Sequence, residues 1–119
     1  MKTLAFIGLL LVSSLSFAAE TLDAAAVKKL LTGNTVDALA PNGNTFQVYF
    51  AGDGKLIRKD GDKLAEGTWR VEDDGKQCIE GTPGGCAVIT KNEDGTYDRI
   101  GGKGGTKARW ISVTSGKGF

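Results

Sequence analysis

The feature that most constrains what this chain can fold into is an alternation of apolar and polar residues with period two, broken about every 8 to 12 residues by a glycine turn. Phe46, Val48 and Phe50 alternate with Gln47 and Tyr49, and Gly67, Trp69 and Val71 alternate with Thr68 and Arg70. That period belongs to strands with one face on a core and the other in water. Turn signals stand at Asn42-Gly43-Asn44, Gly52-Asp53-Gly54, Asp60-Gly61-Asp62, Asp73-Asp74-Gly75, Pro83-Gly84-Gly85 and Asn92-Glu93-Asp94-Gly95. Together they predict strands near 35–39, 46–51, 55–59, 66–71, 76–80, 86–91, 96–100 and 107–113. A mainly β fold follows, an antiparallel meander or small barrel of about seven to eight short strands, because closure removes the edges that a flat meander would leave open.

One segment before the strands has a different period. Leu22 and Val27 stand as the outer partners of a hydrophobic staple around Asp23 as N-cap, with Ala24, Ala25 and Ala26 as helix formers between them. Leu30 and Leu31 continue the apolar stripe, Lys28 and Lys29 suit the C-terminal end of the helix dipole, and Gly33 supplies a left-handed stop. The expected helix has about nine or ten residues, too few to stand alone in water, so its apolar face must dock on the sheet as a plug or lid. Ala19 to Thr21 before it and Ser115 to Phe119 at the far end are expected to be loose. Gly101-Gly102-Lys103-Gly104-Gly105 is expected to be a loop.

The first residues carry an address. Lys2 supplies one positive charge, Leu4 to Leu15 is an almost unbroken apolar run, and Ser16-Phe17-Ala18 places small residues where a signal peptidase reads. The run is shorter than the roughly 20 residues of a membrane span. Residues 1–18 are therefore expected to be a cleaved signal peptide and 19–119 a single small domain, periplasmic or secreted, with no membrane insertion. Cys78 and Cys86 then read as one disulfide across a hairpin, worth about 2.5 kcal/mol by loop entropy. A redox or metal pair would separate the two sulfurs by two residues in a tight turn, and these are farther apart.

Composition excludes several functions. With Lys2 removed the charges balance and interleave, which leaves no basic face for nucleic acid. The chain has 0 histidines, so the commonest general base and metal ligand is missing and no conventional serine triad can be built. The acidic turns lack the ligand spacing of an EF-hand, and the glycine loop lacks both the Gly-Lys-Ser/Thr ending and the following helix of a phosphate loop. A C-terminal Phe119 resembles the last residue of outer-membrane barrels, but the polar stretch before it and the short strands do not suit a lipid-facing wall. No cofactor and no metal site is expected. The aromatic set, Phe46, Tyr49, Phe50, Trp69, Tyr97 and Trp110, can form the core or line a ligand site. If Phe46, Val48 and Phe50 face inward, Tyr49 faces water or a partner.

The helix ending Leu30-Leu31-Thr32-Gly33-Asn34-Thr35, then Tyr49-Phe50 with Asp53-Gly54, then Gly67-Thr68-Trp69-Arg70-Val71, Asp74-Gly75 and the two cysteines form a pattern over residues 22–91. It resembles a family of small, uncharacterised exported proteobacterial β-rich proteins, which implies compartment and fold and no particular chemistry. Gly67-Thr68-Trp69 also resembles the glycine-x-tryptophan element of lipocalin-like barrels, and Arg109 beside Trp110 resembles their late arginine that covers the tryptophan. In those barrels the element lies on the first strand and here about three predicted strands precede it, so the likeness is architectural. The expected function is non-catalytic: a binding protein for a small ligand, or a protein-interaction module such as an inhibitor or accessory subunit of another exported protein. Tyr49, Trp69, Arg109 and Trp110 are the candidate contacts.

Overall fold

The computed structural model describes residues 20–101 and 107–119. The expected leader, residues 1–18, Ala19 of the expected loose start and positions 102–105 of the expected glycine loop lie outside these. The elements follow in the order β1 (Glu20–Thr21), α1 (Ala24–Leu31), β2 (Asn34–Leu39), β3 (Thr45–Phe50), β4 (Lys55–Asp60), β5 (Lys63–Val71), β6 (Gln77–Glu80), β7 (Gly85–Lys91), β8 (Tyr97–Gly101) and β9 (Lys107–Ser115).

Consecutive strands from β2 to β9 pair antiparallel, and the ring closes where β2 pairs with β9. The result is a closed eight-stranded barrel with β1 as one extra strand paired to the end of β7. Four of its tight turns are built alike, at residues 40–44, 51–55, 72–76 and 92–96. In each, the first residue's N–H donates to the fifth residue's carbonyl and the fourth residue's N–H donates back to the first residue's carbonyl. An Asn or Asp at the third place accepts from the N–H two residues on (Asn42 to Asn44, Asp53 to Lys55, Asp74 to Lys76, Asp94 to Thr96, all between 3.0 and 3.1 Å). The fourth residue is always glycine, with φ between +90° and +95°. This is the three-residue hairpin loop that closes a type I turn with a left-handed residue, and it needs both residue types. The Asx-Gly pairs at these four places are thereby accounted for as turns.

Strand parity puts Val36, Val48, Phe50, Leu56, Ile79, Ile89 and Trp110 into one core. Phe50 packs edge-on against Trp69 with ring centroids 5.3 Å apart, and Trp110 lies 6.2 Å from Phe50 and 6.4 Å from Tyr97. Gly67 sits where β5 coils tightly over the β6–β7 hairpin: a Cβ there would collide with the Glu80 carbonyl oxygen. Cys78 and Cys86 lie directly opposite each other on β6 and β7 and form the disulfide.

α1 begins at Asp23, whose carboxylate accepts from the Ala26 N–H at 2.9 Å. It is 8 residues long, slightly shorter than expected, because the Gly33 N–H turns away from the helix and donates to the Phe50 carbonyl at 2.7 Å. Val27 and Leu31 are fully buried in the barrel core.

Both expectations of loose ends need correction. Glu20 and Thr21 pair with Lys91 and Thr90, and the Leu22 N–H donates to the Ile89 carbonyl. At the C-terminus the buried Thr35 hydroxyl donates to the Gly116 carbonyl at 2.6 Å and accepts from the Gly118 N–H at 2.8 Å. β2 thus holds the tail along its outer side. Among the described residues no helix is long and apolar enough to cross a membrane.

Candidate functional site

An up-and-down barrel has two ends, and this chain treats them differently. α1 leads into the start of β2, so it sits at the end that also carries the β3–β4, β5–β6 and β7–β8 turns. There Leu31 and Val27 fill the interior beneath Phe50 and Leu56. At the other end no element among the described residues crosses the opening. The interior remains open as a cavity of about 220 Å³, framed by Ala40 and Pro41, by Thr82, Pro83 and Gly84, and by Gly101 and Ala108. That space is about seven water molecules' share of liquid volume.

The cavity wall is apolar: Phe46, Val48 and Phe50 from β3, Ile79 from β6 and Trp110 from β9. Two inward-facing arginines interrupt it. Arg58 follows Leu56 by two on β4, and its guanidinium lies 3.8 Å above the Phe46 ring while donating to Asp60 at 2.7 and 3.1 Å. Arg99 follows Tyr97 by two on β8. Its Nε donates to Gln77 Oε1 at 2.7 Å, Nη1 to the Gly84 carbonyl at 2.8 Å, and Nη2 to the Gln77 and Gly85 carbonyls at 3.0 and 2.7 Å. These bonds tie β8 to β6 and to the β6–β7 hairpin, next to the disulfide. Burial pushes the Arg99 guanidinium down to about 10, so it remains charged at neutral pH.

The four arginines of the chain differ in their counterions. Arg58 pairs with Asp60, Arg70 with Glu72 and Glu80, and Arg109 with Asp98. Arg99 has only neutral acceptors. Every Asp and Glu of the chain lies within the described residues, so no side-chain carboxylate outside them could complete the pair. Beside it, the fully buried Gln77 keeps its Nε2 without an acceptor among the described residues.

The four contact candidates from the sequence part company. Trp110 is 2% exposed and forms the cavity floor. Trp69 faces inward but lies toward the plugged end, its Nε1 donating to the Ala51 carbonyl at 2.9 Å. Tyr49, opposite Thr35 and Ile57, faces outward. Arg109 also faces outward, bonded to Asp98 at 3.1 Å, and this bond together with the carboxylate's charge raises its guanidinium's basicity; it covers no tryptophan. Arg58, Arg99 and Gln77 were missed in the sequence. Their signal was available: each is a polar residue on the apolar face of its strand.

A broader groove of about 590 Å³ runs beside α1, past Lys29, Lys91 and Thr114. It is open to solvent and gathers no buried polar group, so the mouth is the better candidate site. Among the described residues no three His, Cys, Asp or Glu side chains come together as a metal-binding group. No protein-family model, no curated protein and no solved structure matches the chain, so its identity rests on what the residues build: a closed barrel plugged at one end and hollow at the other.

Proposed function

We propose that this is a non-catalytic binding protein of the periplasm or the extracellular medium, holding a small ligand in the mouth of its barrel. The observation that carries the reading is the apolar cavity at the one barrel end that α1 does not fill. A closed barrel of this size has enough side chains to fill its interior, and the other end does so completely. A concave apolar site with a few converging polar groups is the usual form of a small-molecule site. The leader-like pattern of residues 1–18 and the Cys78–Cys86 bond support the compartment.

Native mass spectrometry of the protein isolated from a periplasmic or culture-medium fraction tests this. The expected result is an added small-molecule mass that disappears on denaturation. A clean apo mass together with a stoichiometric protein partner in a pull-down would overturn it in favour of an interaction module.

A further inference from the structure

We infer that the mouth takes a small organic anion, a carboxylate head held by Arg99 with an apolar body laid against Phe46, Val48 and Trp110. The inference rests on the proposed ligand-binding role of the cavity and deepens it. A partly buried cation with no counterion is a costly arrangement, because neutral carbonyls offset only part of what water and a carboxylate supply. Arg99 is the one arginine of this chain so placed, and it borders the cavity.

Its donors decide the sign of the partner. A guanidinium has five N–H groups, four of which are used in the bonds to Gln77, Gly84 and Gly85. One Nη1 hydrogen is left over. Gln77, fully buried behind Arg99 and outside the cavity lining, adds no carboxylate there: its Oε1 is a neutral acceptor and its Nε2 is without an acceptor among the described residues. At Arg99 the wall therefore carries a positive charge and a spare N–H and lacks an acceptor-only oxygen group, which is what a carboxylate is. Arg58, already neutralised by Asp60 and stacked on Phe46, adds charge at the rim without competing for the same role. Both arginines keep their heads fixed by existing bonds, so little side-chain entropy is lost when an anion arrives.

The cavity sets the size. At about 220 Å³ it accommodates a body of the bulk of a phenyl ring or a short alkyl chain and excludes a long-chain lipid. The test compares 3-phenylpropanoate with its uncharged isostere 3-phenylpropanamide at neutral pH, read by tryptophan fluorescence and by NMR shifts of mouth amides. The acid should bind at least about tenfold more tightly, the effect of a charge-assisted hydrogen bond on affinity. Arg99→Lys should retain most of that preference and Arg99→Gln should abolish it. Because Arg99 also ties three strands together, Arg58→Gln serves as a folded control that lowers acid affinity by only a few-fold. Equal binding of acid and amide to the wild-type protein would overturn the anionic head while leaving the ligand-binding reading intact. Failure of both to bind, with a co-purified ligand found to be neutral, would overturn the inference alone. Failure of both with no co-purified ligand would remove the reading beneath it as well.

Discussion

The two ends of this barrel share the same wall and the same alternation of inward side chains, yet one is solid and the other hollow. At the solid end the chain enters through α1, and Leu31 and Val27 are fully buried over Phe50 and Leu56. At the hollow end the described residues border the opening with hairpin turns alone, and the inward positions next to it include Arg58 and Arg99. An end is filled when the chain has a free segment with an apolar stripe to lay into it. A hairpin turn, whose own backbone must remain hydrogen-bonded, cannot supply one.

That contrast can be broken by truncating one residue at each end. Leu31→Ala should cost about 3 to 4 kcal/mol in chemical denaturation, because a fully buried leucine leaves a cavity that α1 and the barrel wall cannot close. Phe46→Ala at the mouth should cost only about 1 to 2 kcal/mol, since its ring is half-buried beside space that is already open. Equal losses at the two ends would show that the mouth is packed in solution.

Next in size is the staple beside the mouth. Replacing Cys78 and Cys86 together by alanine should lower stability by about 2.5 kcal/mol, the loop-entropy value for a separation of 8 residues. The loss should be accompanied by faster amide exchange around Gly84 and Gly85, whose carbonyls receive Arg99, with little change in α1. Exchange that rises equally at both ends would mean that the bond supports the whole barrel and not the mouth in particular.

The smallest effect concerns a turn at the plugged end. The Thr96 hydroxyl and N–H both donate to Asp94, at 2.7 and 3.0 Å, and these bonds hold its carboxyl below the ordinary carboxylate value. A depressed folded-state value means that the unfolded chain binds the proton more readily in acid. The associated stabilisation is therefore present above the ordinary carboxylate value and is lost as pH falls through the folded one. Thr96→Val should move the Asp94 titration, followed by NMR, upward toward that of a free aspartate. An unchanged titration would remove the hydroxyl as its cause.

Much of the architecture was legible before folding. The strand boundaries follow from period-two parity and from Asx-Gly turns, and α1 follows from Asp23, the Leu22/Val27 staple and Gly33, all of which act over a few residues. The inward set Phe46, Val48 and Phe50 and the outward Tyr49 follow from parity as well. The candidate site was legible only in part. Trp110 was named, but Trp69 points inward toward either end with equal sequence support, and Arg109 was drawn in by its neighbour when Asp98, on the outer face of β8, holds it there.

The sequence by itself therefore determined the local pieces of this protein: where the eight barrel strands lie and turn, which face their side chains take, and the cysteine pair that spans one hairpin, though not β1 or the first three residues of β5. Only the tertiary structure decided how the pieces close. The β2–β9 pairing, the tail held by Thr35, and Arg99 set against Gln77 and the Gly84–Gly85 turn all join residues distant in sequence. Parity assigns a residue to a face, but the space in front of that face depends on what arrives from elsewhere in the chain. The same inward direction meets Leu31 at one end of the barrel and an open cavity at the other.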